Sequence, residues 1–213
     1  MQRSLEPELM DSDVIVGPIL DRFHRDLARV NGLLGSFQTV ERFLRKDDQP
    51  IRRVLDIGCG GGDLLVYLRR KMGVEVTGID LKPGRMNDVP VVVADATREM
   101  LPQADVAISS LVAHHLTPEQ NIALIRNVGQ SCRRFLILDL IRHPMPLVLF
   151  SIFLCPFIGH EAAADGRQSI RRAFTPEEFA ELVREALKGT GATFSTDVSP
   201  LLSRQVIDIR YRD

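Results

Sequence analysis

The sequence predicts an α/β fold: a doubly wound, mostly parallel sheet of seven strands, finished by a C-terminal antiparallel strand pair. Three observations lead there. Five short apolar runs alternate with longer helix-patterned stretches, the texture of βαβ units whose sheet is covered on both faces. A glycine-rich turn, Gly58-Cys59-Gly60-Gly61-Gly62, follows the first apolar run and passes straight into a helical pattern. The C-terminal stretch reads as two more strand-like segments joined by a turn near Pro200.

Each element follows from its own residues. Over 14–46, Ile19, Leu20, Phe23, Leu27, Val30 and Leu34 recur at helical spacing. Gly32 and Gly35 interrupt that pattern ahead of a second helix around 37–44, and the polar residues 46–50 break the chain before the sheet. Strands are expected at 53–58, 74–80, 89–95, 104–110 and 134–140, with helices over 62–72 and 117–131. The link around 82–88 is too short for a full helix, so that crossover is expected to be a turn. Residues 144–158, PMPLVLFSIFLCPFI, are apolar. A spanning helix needs roughly 18–20 apolar residues, and Pro144, Pro146 and Pro156 are expected to break this shorter run. It is therefore expected to pack on the core or to face a ligand. A helix over 174–187 starts well: Thr175 caps, Pro176 takes the first position, and Glu177 and Glu178 favour the positive end. Strands over 192–200 and 204–212 complete the chain. The expected organisation is one domain: a helical cap (1–49), a cofactor-binding core (50–142), an apolar lid insert (143–175), and a C-terminal helix with the strand pair (176–213).

Composition narrows the function. At 213 residues, 45% hydrophobic and 26% charged, the chain is long enough for a single three-layer domain. Lys plus Arg (27) against Asp plus Glu (28) leaves a net charge of −1, which gives no footprint for wrapping a nucleic acid. No Trp and only two Tyr argue against base stacking. Cys59, Cys132 and Cys155 form neither a CxxC pair nor an even framework, so disulfide scaffolds and zinc ribbons are excluded and a reducing cytoplasm is expected. The acidic start MQRSLEPELMDSD lacks the apolar core of a signal peptide. No transmembrane segment is expected, and membrane contact is at most a weak surface one.

The chemistry centres on VLDIGCGGGDL, 54–64. Glycines there let a ligand approach the main chain, and the helix that follows offers unpaired amides to a carboxylate. A dinucleotide loop would read GxGxxG, but Asp63 stands where its third glycine belongs. Asp56 and Asp63 would meet a pyrophosphate with little cationic compensation, so the ligand implied is partly positive. A nicotinamide-dependent oxidoreductase is the alternative this disfavours, since it predicts the GxGxxG loop. Asp80 closes the second strand, where an acidic side chain can accept hydrogen bonds from both hydroxyls of a ribose. Asp95 closes the third and can accept from an exocyclic amino group, with the Ala96 amide facing a ring nitrogen. Each Asp alone is equally well a strand-end cap.

On these residues the chain resembles the class I S-adenosylmethionine-dependent methyltransferases, which have a Rossmann-like fold, over roughly 50–142. VLDIGCGGG is similar to the family's glycine signature, GID to its ribose motif and VVVADAT to its adenine-side motif. The resemblance implies that Asp56 and Gly58 to Gly62, Cys59 and Gly60 among them, surround the methionine portion. It implies that Asp80 holds the ribose, that Asp95 and Ala96 read the adenine, and that Leu81 packs on the adenine face. Ser109 or Ser110 would end the fourth strand beside the methionine amino group. S-adenosylmethionine is the implied cofactor and S-adenosylhomocysteine its product. The short second crossover departs from the family's long helix. More locally, LEPELMD and SIRRAFTPEE resemble a bacterial subgroup associated with phenolic-lipid or quinone-like substrates.

Methyl transfer from a sulfonium is an in-line displacement that needs no metal, and no metal site is expected. An acceptor that must lose a proton calls for a base, and a histidine serves near neutral pH. His114 and His115 follow the fourth strand at the cofactor-facing edge, and His115 is favoured over His114. The bland alternative is a helix-capping turn whose imidazoles bond the backbone. Asp139 and Arg142 read first as a strand-end cap or surface ion pair, and second as lining the acceptor entrance. His160, Arg171 and Arg172 could meet an anionic acceptor group, while Cys59 reads as packing. The apolar lid favours a hydrophobic, phenolic or quinone-like small molecule. Two alternatives stand beside this one: a non-catalytic cofactor-binding protein, and a methyltransferase for protein or RNA.

Overall fold

A computed structural model describes residues 1–9, 30, 32, 34–82 and 88–211. Ile19, Leu20, Phe23 and Leu27 of the expected first helix, the central residues of the 82–88 link, and Arg212 lie outside the described residues. In chain order, the regular elements are α1 (Ser36–Leu44), β1 (Arg53–Ile57), α2 (Asp63–Met72), β2 (Glu75–Asp80), β3 (Val91–Val93) and β4 (Ala104–Ser110). A 3-10 turn (Ala113–His115), α3 (Pro118–Val128), β5 (Cys132–Leu140), α4 (Pro144–Phe153) and a second 3-10 turn (Cys155–Phe157) follow. The chain then forms α5 (His160–Arg172), α6 (Pro176–Ala186), β6 (Thr193–Val198) and β7 (Arg204–Arg210).

One sheet of seven strands runs in the order β3-β2-β1-β4-β5-β7-β6. β1 to β5 are parallel, and β7 enters antiparallel between β5 and β6. This is the Rossmann-like, doubly wound arrangement that the sequence predicts. The strand order reverses between β1 and β4, so the C-terminal ends of those neighbours diverge and open a crevice. Strand alternation builds the two cores. Leu55, Ile57, Ala107, Phe135, Ile137, Ile207 and Ile209 pack on the face covered by α3 and α6. Val54, Val106, Ile108, Leu136, Leu138 and Val206 pack on the opposite face against α1 and α2. Asp56 shares the parity of Val54 and therefore meets the α2 side of the sheet.

Capping fixes the flanking helices. Thr117 with Gln120 and Thr175 with Glu178 both form capping boxes, and Pro118 and Pro176 take the first turns. The third strand is shorter than expected, three residues in place of 89–95.

The 144–158 segment corrects the sequence reading. Pro144 and Pro146 fall in the first turn of α4, where a missing N–H costs nothing, so they start the helix rather than break it. The segment also does not bury itself: Pro146 is the buried residue of α4, while Val148, Ile152 and Phe153 are exposed and Phe157 is 81% exposed. After it comes a helix that the sequence reading did not assign. α5 is amphipathic and polar, with Ala162, Ala163, Asp165 and Ile170 buried, so only the first half of the 143–175 insert is apolar. Gly166 leaves room for the Phe150 ring of α4 to pack on α5. Among the described residues, no helix is long and apolar enough to cross a membrane.

Candidate functional site

The glycine loop is held against the second strand. Gly58 and Cys59 donate their N–H groups to the Ile79 carbonyl at 2.7 and 3.3 Å, and Gly62 donates to Cys59 at 2.9 Å. Gly58, Gly60 and Gly62 all have positive φ, at 72°, 53° and 76°, which favours glycine at each. Their surroundings differ. A Cβ on Gly58 would run into the Val112 side chain, whereas a Cβ on Gly60 would meet nothing within 4 Å among the described residues. Gly58 is therefore required by packing, and Gly60 borders open space of the kind a ligand fills. Gly62 caps α2 without a side-chain acceptor for the helix's first amides.

Asp80 ties this cradle together. Its Oδ2 accepts the Gly60 N–H and its Oδ1 the Lys82 N–H, both at 2.8 Å. Leu81, beside it, is 64% exposed. Asp56 is buried beneath the loop. Burial, and then the neighbouring Asp80 carboxylate, push its carboxyl up to about 8. Cys59 is buried against Gly78, and burial pushes its thiol up to about 12, so it is an inert packing residue. Ser109 Oγ is fully buried and has no hydrogen-bond partner among the described residues, on a strand paired with Ile57 just before the glycine loop. Ser110, one residue on, is partly exposed. An open cradle at Gly60, tied by Asp80 to the end of β2, fits a ligand at the switch point.

Asp95 is engaged locally. Its Oδ1 accepts from the Thr97 N–H and hydroxyl at 2.9 and 2.6 Å, and Arg98 lies 3.6 Å from its Oδ2. The hydrogen bond from Thr97 holds its carboxyl below the usual range. Ala96 is buried, and its carbonyl accepts from Asn127. For Asp95, then, the turn-capping use is the one observed.

At the other side of the crevice, the chain leaves β4 through Leu111, a non-glycine residue at φ 61°. Val112 then covers Gly58, and the 3-10 turn presents the two histidines. His114 is buried. Its Nδ1 lies 2.6 Å from Asp139 Oδ1, and its backbone N–H donates to Asp139 Oδ2 at 2.8 Å. Asp139 also accepts the Leu140 N–H at 2.7 Å. A carboxylate already accepting two amides is the acceptor for His114 Nδ1–H as well, so the Nε2 lone pair points the other way. There it meets Glu8: His114 Nε2 lies 3.6 Å from Oε1, and His115 Nε2 lies 3.7 Å from Oε2. The two imidazoles are tilted 4.3 Å apart, and the side chain of His115 is 19% exposed.

Glu8 comes from the N-terminal segment, which lies along α5. Ser169 donates to its Oε2 at 2.6 Å, and Arg172 Nε lies 3.7 Å from its Oε1. Burial pushes its carboxyl up to about 7, opposed by His115, Ser169 and Arg172 and reinforced by Asp165. Arg172 also donates to the carbonyls of His114 and His115, and Arg3 donates to those of His114 and Leu116. Two guanidinium groups thus hold the histidine turn by its backbone. Arg171 and His160 are exposed.

Several sequence readings change here. The imidazole of His114 bonds a carboxylate, not the backbone. Asp139 is buried and orients His114, rather than sitting at the surface. Arg142 does form an ion pair, with Glu178 at 2.5 Å, but its own side chain is buried and also donates to the carbonyls of Met1 and Ala173. Glu8, Arg3 and Asp165 were missed as site residues: more than a hundred positions separate Glu8 from the histidines it faces, and no local spacing signals such a contact.

Fold and crevice together define the doubly wound α/β class, in which ligands sit at a strand-order switch point, here between β1 and β4. The methyltransferase domain family matches residues 24–142 of this chain, and the chain belongs to that family. An uncharacterized methyltransferase of Synechocystis sp. is 34% identical over 88 residues, covering 37% of this chain and 41% of the relative. The chain thus spans less than half of that relative's length. Among solved structures, the plantazolicin methyltransferase BamL, in complex with a desmethyl analogue and SAH, has a TM-score of 0.74 at 19% identity, covering 92% of both chains. The methyltransferase domain of a bacterial Hen1 protein has a TM-score of 0.62 at 15% identity, covering 83% of this chain and 97% of that one. Human N-acetylserotonin methyltransferase, in complex with SAM, has a TM-score of 0.55 at 17% identity, covering 76% and 48%. At these identities the likeness is one of fold.

Proposed function

We propose that this methyltransferase transfers a methyl group from S-adenosylmethionine to a hydrophobic, phenolic or quinone-like small molecule, with His115 taking the proton the acceptor loses. The observation that carries the reading is the pairing of two features at one crevice. One is the open cradle at Gly60, held by Asp80, and the other is a carboxylate-backed histidine pair on the turn that packs against Gly58. The bound cofactor supplies an electrophilic methyl group on a sulfonium, and the chain's own residues do the rest. Asp80 orients the ribose, the Gly58 to Gly62 loop and the buried Asp56 surround the methionine portion with its cationic amino group, and Leu81 offers an apolar surface to the adenine ring. His115 is the more accessible imidazole, and Glu8 stabilises the imidazolium formed when that ring accepts a proton. His114, buried and tied to Asp139, positions the turn.

The acceptor class rests on the lid. α4 is apolar on all sides and packs on α5, which packs on the histidine turn. Greasy, exposed side chains beside the site suit a lipophilic acceptor better than a polar one. The test is a methylation screen, with chelator present, over lipophilic phenols, polar amines, a peptide pool and RNA. Turnover on phenols is expected. Turnover confined to amines, peptides or RNA would overturn the acceptor assignment, and cofactor binding without turnover on any class would favour a non-catalytic binding protein.

A further inference from the structure

We propose that Glu8, His114 and His115 form a binding site for a zinc-type divalent cation whose occupancy switches methyl transfer off. This rests on the reading of His115 as the base, and it goes beyond the expectation that the chain has no metal site. The three residues offer two imidazole nitrogens and one carboxylate, with the donor atoms all within 4.8 Å of one another. A tetrahedral ion with bonds of about 2.0–2.2 Å holds its ligand atoms roughly 3.3–3.6 Å apart. His114 Nε2 lies 3.6 Å from one oxygen of Glu8 and His115 Nε2 lies 3.7 Å from the other, so each imidazole already stands near the required length from the carboxylate, and the set closes on an ion by a small movement from within its 4.8 Å span.

The surroundings strengthen the assignment. Asp139 holds His114 through Nδ1 at 2.6 Å, the carboxylate–histidine arrangement that fixes a metal-ligating imidazole in the correct tautomer. Ser169 fixes one oxygen of Glu8 at 2.6 Å. The side chain of His115 is 19% exposed, which gives an ion a path in and leaves a fourth position for water. Nitrogen and oxygen donors without sulfur select zinc, cobalt or ferrous iron over magnesium or calcium. Arg172 lies 3.7 Å from Glu8 and competes for its charge. Micromolar binding is therefore expected rather than the tighter affinity of a structural zinc site.

The consequence for activity follows from electron counting. A neutral imidazole has one lone pair. When the Nε2 lone pair of His115 forms the bond to the ion, the ring's remaining proton sits on Nδ1 and the ring cannot accept another. The ion also takes the Glu8 charge that would have stabilised an imidazolium.

Metal-free protein, without cofactor or acceptor, is titrated with Co2+ and then with Zn2+. The expected result is saturable visible absorption from a low-coordinate Co2+ centre, bleached by an equivalent of Zn2+, together with Zn2+ inhibition of methyl transfer that a chelator reverses. Glu8→Gln and Asp139→Asn should each weaken Co2+ binding about 10–100-fold. X-ray absorption of the zinc complex of the unmodified protein should count two imidazole nitrogens, and it keeps the claim testable if a variant melts. No absorption, sulfur ligation, or a Co2+ spectrum that survives Glu8→Gln would overturn the site. Stimulation by Zn2+ would overturn its role as an off-switch. Metal-binding failure leaves turnover in chelator intact, whereas failure of the base assignment appears as full turnover in a His115 variant, so the two outcomes are distinct.

Discussion

The two sides of the crevice are built in opposite ways. The side proposed to hold the cofactor is local: Asp56, the loop Gly58 to Gly62 and Asp80 lie within 25 consecutive residues, and their contacts join a turn to the adjacent strand. The side proposed to meet the acceptor is assembled from four distant places: Glu8, the 114–115 turn, Asp139 at the end of β5, and Ser169 and Arg172 on α5. A local site inherits its geometry from strand and turn. A dispersed one depends on long-range packing, and here on arginines gripping carbonyls.

The sharpest way to break this division is at His115. His115→Ala should lower turnover about a hundredfold or more and leave cofactor affinity nearly unchanged, measured by steady-state kinetics beside calorimetry. Equal losses in both would mean that the two sides are one unit. The glycines separate packing from binding. Gly58→Ala places a Cβ against Val112 at positive φ and should cost about 2–4 kcal/mol of stability in a denaturant melt. Gly60→Val also carries the strain of a branched residue at positive φ but meets no packed neighbour, so it should cost less stability than Gly58→Ala and weaken cofactor binding more, because its side chain enters open space. The reverse pattern would contradict the cradle.

What was legible in the sequence follows the same line. Glycines before a helix and aspartates at strand ends are short-range signals, so β1, β2, β4, β5 and the closing strand pair stand close to where periodicity puts them. The α4 prolines were misjudged because position within the first turn, not presence, decides whether proline breaks a helix. α5 was missed because its Ala, Gly and charged residues give a weak apolar stripe. Glu8 lies in the LEPELMD stretch that carries the local resemblance, but its role could not be read there, since its partners lie across the chain. Asp95 shows the converse, a residue at the expected strand end whose side chain the following turn already engages.

Two smaller effects sharpen the cofactor side. Asp80→Ala should weaken S-adenosylmethionine binding by roughly 1.5–3 kcal/mol, the usual loss of charge-assisted hydrogen bonds, with part of that arriving through the freed Gly60 and Lys82 amides. Asp56 should report its burial through pH. Its carboxyl is raised in the folded chain to about 8, so burial costs nothing below the ordinary carboxylate range. The penalty grows as pH rises from there through about 8, as the unfolded chain ionises first. Asp56→Asn should therefore gain stability relative to the parent as pH rises across that window, read from melting temperatures. A cationic cofactor group that favours ionised Asp56 should also release up to about one proton on binding within the window, measured in buffers of different protonation enthalpy. No dependence on buffer would remove Asp56 from the contact.

The most direct test of the central claim is calorimetry of folded protein with S-adenosylmethionine and with S-adenosylhomocysteine, chelator present throughout. Saturable binding of both, weakened in Asp80→Ala and retained in His115→Ala, is the predicted result. A flat titration with folded protein would contradict it.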